Sequence, residues 1–432
     1  MIPKYPGQNL KCNPKKIKAI AYITMRISIK HLIDWSLVVI FYAGFQGGKY
    51  FFNNRVQELG IVLTLMLFLY TATQVAMSKK AVHWQRWFWS SPLLIVYIMG
   101  SSAAVFSVYA QTPLLPSFFA AREFLILLLA PALYFLYHLG YPIKRIEKVF
   151  IFSLVIVLVN YVFHYFRVDL VAAYFSEGYM SYLVTYDEWR GYRLKAPTFA
   201  LIIATLYAGF RLFQQDKLSN KIYMILLLCL SFYIWYLLKA RSQMATIILA
   251  LLCYPLFFIR PNRISLLLVF SPIAIFLILA LGGVLADFFL NSEGGGIRAS
   301  SYAQAWENIK NYPLFGYGQS SGYSKTYQDI FGAKFFPSDL GIIGIIFKYG
   351  FSGVMLYVFF NFYLFRKLMR TNWIFYCCNK QTNPVIWALF IFFTALSINI
   401  VLNPGLAYMQ GLTIAAFTIA LTACYRDEMD VG

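Results

Sequence analysis

The chain has 432 residues, of which 60% are hydrophobic and only 12% are charged, and its mean hydropathy is +0.63. These values exclude an ordinary soluble domain, in which about a quarter of the residues are charged. The net charge of +20 does not indicate nucleic-acid binding, because a basic nucleic-acid binder gathers Lys and Arg on a water-soluble face. We therefore expect one integral-membrane domain over residues 1–432.

The chain begins with a basic leader. Seven Lys and Arg residues precede the first apolar segment, and no Asp or Glu occurs before Asp34. Because cytoplasmic segments are enriched in Lys and Arg, this leader predicts a cytoplasmic N-terminus. The leader is long and no small-residue cleavage site closes a short apolar run, so we do not expect a secretory signal.

Apolar segments long enough to cross a bilayer recur along the whole chain. They predict an all-α polytopic membrane protein with about twelve transmembrane helices and both termini in the cytoplasm. The predicted spans are 32–48, 58–77, 87–107, 118–137, 149–166, 197–213, 222–238, 244–259, 264–288, 340–362, 385–402 and 408–424. Every second connection is short and basic, as expected for cytoplasmic loops.

Two of the predicted outer loops are long, 167–196 and 289–339. Loops of this length usually have a function. Both are rich in aromatic residues and glycine, so we expect them to fold over the outer mouth of the helical bundle. In the second loop, Tyr302, Ala305, Trp306 and Ile309 form one helical stripe, which packs either on the membrane surface or, as we favour, on the other helices.

Basic residues stand out on the predicted outer side. Arg190 and Arg193 end the first long loop, Lys239 and Arg241 occupy a tight turn, and Arg298 opens the second long loop. Such residues often act only as solvated or interfacial charges, which is the reading we favour for Arg190 taken alone. For Arg241 we favour a function, because a tight turn inside an apolar hairpin offers Arg little water and implies an anionic partner.

Four short segments resemble the O-antigen polymerase and O-antigen ligase family. They are RLKAPTFA at 193–200, KARSQMA at 239–245, YPLFGYG at 312–318 and SDLGIIGIIFKYGFSGV at 338–354. Members of that family are metal-independent glycosyltransferases of the bacterial inner membrane that use undecaprenyl-diphosphate-linked saccharides. The resemblance implies that Arg193, Arg241 and Arg298 bind the donor, with the active site facing the periplasm or exterior.

The chemistry of such a transfer suits arginine. Negative charge grows on the diphosphate as the sugar leaves, and a guanidinium can hold phosphate oxygens in a bidentate fork. The sequence has no P-loop, dinucleotide fingerprint or zinc-ligand spacing, so we expect neither a cofactor nor a metal. By this reasoning Arg241, Arg298 and Asp339 are the candidate catalytic residues, and the candidate substrate-binding residues are Arg190, Arg193, Lys239 and Tyr317.

The proton acceptor is the least defined part of this site. The ligase branch of the family typically carries a histidine in the second long loop, and residues 289–339 contain none, which favours a polymerase. Asp339 could accept the proton, hold Arg298 or simply cap a helix. Tyr317 could stack on a sugar ring, although most tyrosines in so aromatic a chain belong to packing or to the interfacial belt.

Three functions therefore stay open at this point. The favoured one is a polymerase of O-antigen or capsule repeat units, the second is an O-antigen ligase, and the third is a lipid-linked saccharide flippase or other transporter. The expected partners are undecaprenyl-diphosphate-linked saccharides and the lipid bilayer, with a chain-length regulator and a flippase as further candidates. No nucleic-acid partner is expected.

Overall fold

The fold is seen in a computed structural model of the chain. It describes residues 30–51, 55–78, 90–176, 181, 183–186, 191–214, 217–239, 241–253, 293–318, 329–332, 335, 337, 340–379, 381–399, 405 and 408–430. The basic leader and the predicted span 264–288 lie outside the described residues.

The described residues form α-helices, two short 3-10 helices and one two-stranded hairpin. The helices are α1 (30–44), α2 (Arg55–Met77), α3 (Ser90–Ala110), α4 (Leu114–Ala120), α5 (Leu129–His138), α6 (Ile143–Arg167), α7 (Leu170–Phe175), α8 (Thr198–Gln214), α9 (Leu218–Leu238), α10 (Arg241–Cys253), α11 (Glu293–Asn311), α12 (Gly341–Asn379), α13 (Pro384–Ile398) and α14 (Met409–Asp430). The 3-10 helices are Gly47–Tyr50 and Arg122–Leu128, and the hairpin pairs β1 (Val184–Thr185) with β2 (Arg193–Leu194).

The chain is an all-α membrane protein. Within the described residues, four helices are long and apolar enough to cross a membrane, and a bent pair raises the number to five; several further apolar helices are shorter. A helix overlaps each predicted span that falls within the described residues. The number of twelve spans and their orientation stay predictions.

The fourth predicted span is broken rather than straight. Its two parts, Leu114–Ala120 and Arg122–His138, meet at an angle of 56°. Pro131 lacks the N–H that would bond to the carbonyl of Leu127, and its ring crowds that carbonyl. The bend itself falls at Ala121, ten residues before Pro131, and Arg122–Leu128 adopt the tighter 3-10 geometry before α5 begins at Leu129.

Helix α12 is longer than the predicted span 340–362 and is interrupted near its start. It continues to Asn379 through the predicted basic inner segment, because that segment contains neither Gly nor Pro. At Gly350 the backbone takes φ 67° and ψ −172°, which breaks the helical hydrogen bonding. The interruption leaves backbone groups that need other partners.

The segment 312–318 supplies those partners. The N–H groups of Tyr317 and Gly318 donate to the carbonyls of Phe347 and Lys348, both at 2.8 Å. In return, the N–H of Phe351 donates to the carbonyl of Pro313 at 2.8 Å. Two of the family-like segments therefore dock on each other through backbone hydrogen bonds.

The C-terminal helices form the centre of the bundle. Helix α13 is buried on every side from Val385 to Leu396, and α14 is buried almost throughout from Met409 to Tyr425. A helix that is apolar all round must be covered by other helices. Helices α8, α10 and α12 cover α13, while α5, α12 and the 3-10 helix Arg122–Leu128 cover α14.

The stripe predicted in the second long loop packs on the bundle. Ala305 and Ile309 of α11 are buried against α12, whereas Trp306 is 49% exposed. The expected contact with the helices is therefore confirmed for the buried part of this stripe.

Polar contacts join segments that the sequence places on the same side of the membrane. On the predicted inner side, Gln214 donates to the carbonyl of Thr382 at 3.0 Å. On the predicted outer side, Arg122 pairs with Glu58 at 3.0 Å, and Tyr50 bonds to the loop residue Lys195. The fold is thus internally consistent with the predicted order of loops.

Candidate functional site

The candidate site is organised around residues 193–195, which end the first long loop. The carbonyl of Leu194 accepts a hydrogen bond from the Tyr161 hydroxyl of α6 at 3.2 Å. The carbonyl of Lys195 accepts one from the Tyr50 hydroxyl at 2.5 Å, and its N–H donates to Leu183 at 2.8 Å. Since Leu194 is fully buried, the two flanking cations are held at a fixed place on the bundle.

Arg193 reaches from this segment to the end of α9. Its Nη1 donates to the carbonyl of Leu238, the last residue of α9, at 3.4 Å. The next residue, Lys239, is exposed and takes a left-handed conformation with φ 49°. Helix α10 begins two residues later, at Arg241. Arg193 is therefore brought beside the turn that carries Lys239 and Arg241.

This turn has the electrostatic character of an anion site. The first N–H groups of α10 have no carbonyl partner within the helix, and the helix dipole places partial positive charge at this end. Lys239 adds a full charge, and Arg193 adds another from the neighbouring loop. The structure describes the backbone of Arg241 but not its side chain, so the contact of its guanidinium with an anion stays a prediction.

For the other predicted site residues, the structure describes either the backbone alone or nothing. Arg298 lies in the second turn of α11, which packs on α12, and only its backbone is described. Arg190 and Asp339 fall outside the described residues. The described contacts thus bring together Arg193 and the 239–241 turn, while the meeting of Arg298 and Asp339 with them stays a prediction.

Tyr317 lies in an aromatic cluster rather than on an open surface. It is 2% exposed, its ring stacks on Phe347 with the centroids 5.3 Å apart, and it makes edge-to-face contacts with Tyr109 and Tyr312 at centroid distances of 4.5 and 4.8 Å. A sugar could stack on this ring only if these contacts opened. The packing therefore supports a structural role, and sugar binding by Tyr317 stays a prediction.

The structure adds two residues that the sequence reasoning did not select. Lys49 lies in the 3-10 helix after α1 and is 7% exposed; burial, together with the charge of Lys195, lowers its pKa to about 7. His164 of α6 is equally buried and stacks on the Tyr50 ring at 5.6 Å. A lysine in a predicted outer link runs against the positive-inside rule, and that signal could have singled out Lys49.

A comparison with known families gives a match over part of the chain. Residues 225–358 match the O-antigen ligase family (Wzy_C). The resemblance predicted from the short sequence segments is confirmed for this region, which covers somewhat less than a third of the chain. A comparison with curated protein sequences finds no match.

The O-antigen ligase match coincides with most of the candidate site. It runs from the middle of α9 to the middle of α12, so it contains Lys239, Arg241, Arg298 and the docked segments 312–318 and 341–354. Arg193, Lys195 and Lys49 lie before it. The family assembles bacterial polysaccharides by enzymatic transfer of glycans from lipid-linked saccharides in a membrane.

Proposed function

We propose that the chain is a polysaccharide polymerase acting at the outer face of the bacterial inner membrane. It transfers a glycan from undecaprenyl diphosphate to the terminal sugar of a second lipid-linked repeat unit, without a metal. The observation that carries this proposal is the contact of Arg193 with the end of α9, which brings a guanidinium beside the start of α10.

The proposed residues have separate tasks in the transfer. The bond between the anomeric carbon and the diphosphate oxygen breaks, and the bonding electrons leave with the diphosphate. Arg241 and Arg298 stabilise the charge that develops there, while Arg190, Arg193 and Lys239 bind the donor phosphates before reaction. A hydroxyl of the acceptor sugar attacks the anomeric carbon, and Asp339 takes up its proton.

The first test removes the catalytic arginines. We expect Arg241→Ala and Arg298→Ala to abolish long-chain polymer in a strain that lacks the native gene, because each removes a stabilising charge from the transition state. Arg241→Lys should restore little polymer, since an ammonium cannot make the bidentate contact. The measurement is the chain-length ladder on a polysaccharide gel.

Arg167→Ala is the matched control. Arg167 ends α6 on the predicted outer side, but its guanidinium lies over the Phe163 ring at 5.4 Å. This variant should give a normal ladder, and membrane levels of all variants are compared by immunoblot. A normal ladder from Arg241→Ala at a normal protein level would refute the proposal.

An O-antigen ligase is the second candidate function, and the description of the matching family favours it. The polymerase is preferred because residues 289–339 contain no histidine. A deletion strain distinguishes the two. Loss of a polymerase leaves single repeat units on the lipid carrier, whereas loss of a ligase leaves long polymer on undecaprenyl diphosphate.

A further inference from the structure

Lys49 is a buried cation whose described surroundings contain no anion. Its side chain is 7% exposed, and its Nζ lies 5.1 Å from the centroid of the Tyr50 ring. The charge described beside it is that of another cation, Lys195. Buried ammonium groups are normally paired with an opposite charge, because removing them from water is costly. No carboxylate of the described chain pairs with Lys49.

A second polar group in the same place also lacks a partner. His164 is 7% exposed, and its ring packs against Tyr50, which stacks on it with the ring centroids 5.6 Å apart, and against Phe51, which meets it edge to face with the centroids 4.0 Å apart. Its Nε2 is buried and makes no hydrogen bond with the described residues. Lys49 and His164 are thus both more than nine-tenths buried and both contact Tyr50. Each carries a nitrogen that can make a further hydrogen bond.

This place is connected to the candidate site through a short extended segment. The Tyr50 hydroxyl bonds to the carbonyl of Lys195, two residues beyond Arg193. In an extended strand, alternate residues lie on the same face about 7 Å apart. Arg193 and Lys195 therefore form a row of charges that leads from the α9–α10 turn toward Lys49.

We propose that Lys49, Lys195 and His164 form a phosphate-binding subsite for a lipid-linked substrate. This inference rests on the proposed function, in which two substrates carrying diphosphates must be bound. The phosphate oxygens would pair with the Lys49 ammonium and accept a hydrogen bond from His164 Nε2 if that nitrogen carries the proton. Both groups contact the Tyr50 ring, and the exposed Lys195 attracts the anion.

The ionisation of Lys49 gives this subsite a distinct signature. Burial and Lys195 lower the pKa of Lys49 to about 7, whereas a bound phosphate would raise it again. The titratable groups around Lys49 and the Tyr50 ring are Lys195 from the loop, Tyr50 itself, and His164 and Tyr161 of α6, which contact that ring. Helix α2 contributes Arg55 and Glu58, both exposed, and Glu58 is paired with Arg122 at 3.0 Å.

The sign of the pH effect follows from these values. Below pH 7 Lys49 is charged with or without ligand, so its contribution to binding is constant. Above pH 7 the free protein holds Lys49 neutral while the complex holds it charged, and binding takes up a proton. The affinity should then fall by up to about tenfold per pH unit until the pKa of the complex is reached.

The test measures binding of undecaprenyl diphosphate to the purified full chain in phosphatidylcholine nanodiscs. We expect Lys49→Met to weaken binding at pH 7 by about tenfold, because it removes one charge-assisted contact. It should also flatten the pH dependence above pH 7 relative to the unaltered chain. Lys310→Met is the matched control, since Lys310 is exposed and pairs with Glu307 at 2.7 Å, and it should change neither quantity.

Further variants and lipid compositions distinguish the ways in which the proposed subsite could be wrong. Lys49→Arg should retain binding but lose the pH dependence near 7, which shows that the charge matters rather than the fold. Unchanged affinity and pH dependence in Lys49→Met would overturn the subsite while leaving the Arg241 test untouched.

If the Lys49→Met effect vanishes in phosphatidylglycerol nanodiscs, a lipid headgroup occupies the site and the assignment to substrate is overturned. If the chain binds the diphosphate through Lys49 but Arg241→Ala still makes long polymer, the proposed function fails and the phosphate site stands.

Discussion

At the scale of single residues, glycine determines how the two family-like segments dock. Gly350 has φ 67°, and a Cβ added there would lie 2.2 Å from the carbonyl carbon and oxygen of Leu314. Gly318 has φ 81°, and its Cβ would lie 2.3 Å from the carbonyl of Ser102. Both contacts are with backbone, which cannot rotate out of the way. These positions therefore need glycine both for conformation and for space.

We predict that Gly350→Ala destabilises the protein by about 1–3 kcal/mol, because the side chain is strained at positive φ and collides with residue 314. The measurement is thermal unfolding of the purified protein in detergent. Gly209→Ala is the control, since Gly209 lies inside α8 and its Cβ would meet nothing within 4 Å. That variant should be neutral or slightly stabilising, and equal melting of the two variants would contradict the explanation.

The sequence predicted some site residues because their signal is local. Lys239 and Arg241 interrupt an apolar hairpin, and this can be recognised without knowing the fold. Lys49 acquires its character from burial and from Lys195, and the Tyr50 ring beside it contacts His164; Lys195 and His164 both lie far from Lys49 in the chain. No local pattern encodes those contacts, so the sequence could single out Lys49 as a lysine on the outer side but could not show that it is buried.

At the scale of elements, the length of the apolar segments predicted where the helices lie, but the breaks within helices depend on individual residues. Pro131, which removes one helical hydrogen bond within the fourth predicted span, could have been recognised from the sequence. The interruption of α12 could not, because glycines inside apolar helices often serve only close packing. The hydrogen bonds of Tyr317 and Phe351 show that Gly350 instead opens the helix for the docking of another segment.

Asn383 combines two tasks at the start of α13. Its Oδ1 accepts from the N–H groups of Val385 and Ile386 at 2.8 and 3.3 Å, which caps the helix. Its Nδ2 donates to Glu147 of α6 at 2.9 Å and to the Tyr425 hydroxyl of α14 at 2.8 Å. The Tyr425 hydroxyl in turn donates to Glu147 at 2.7 Å. One amide therefore ties α13 to two other helices.

We predict that Asn383→Ala destabilises the protein by about 2–4 kcal/mol, since it removes the cap and deprives the carboxylate of Glu147 of a donor. Asn383→Asp should cost about as much, because it preserves the cap but sets a second carboxylate beside Glu147. The control is Asp169→Ala, which removes only the cap of the short helix α7 and should cost about 1 kcal/mol. The readout is again thermal unfolding; a loss for Asn383→Ala no larger than that of Asp169→Ala would show that the amide only caps α13.

At the scale of the whole molecule, composition predicted the membrane class, and the resemblance predicted the region that the family match covers. The arrangement of helices needed the structure. The sequences of helices α13 and α14 resemble those of ordinary membrane spans. In the structure these two helices form the buried centre around which the others pack. A helix that faces lipid and one that faces other helices can be equally apolar, so hydropathy does not distinguish them.

The orientation of the molecule determines whether the candidate site can meet lipid-linked sugars outside the cytoplasm. We predict that a cysteine in place of Phe175, which is 72% exposed in α7, reacts with a membrane-impermeant maleimide in intact spheroplasts. A cysteine in place of Leu218, which is 73% exposed at the start of α9, should react only after permeabilisation. The six native cysteines are first replaced, and the chain-length ladder verifies that this background is active. The two positions are matched in exposure and differ only in predicted side. The opposite labelling pattern would place Arg193 and Lys239 in the cytoplasm, because both lie in segments that share the side of α7, and the proposed reaction could not occur there.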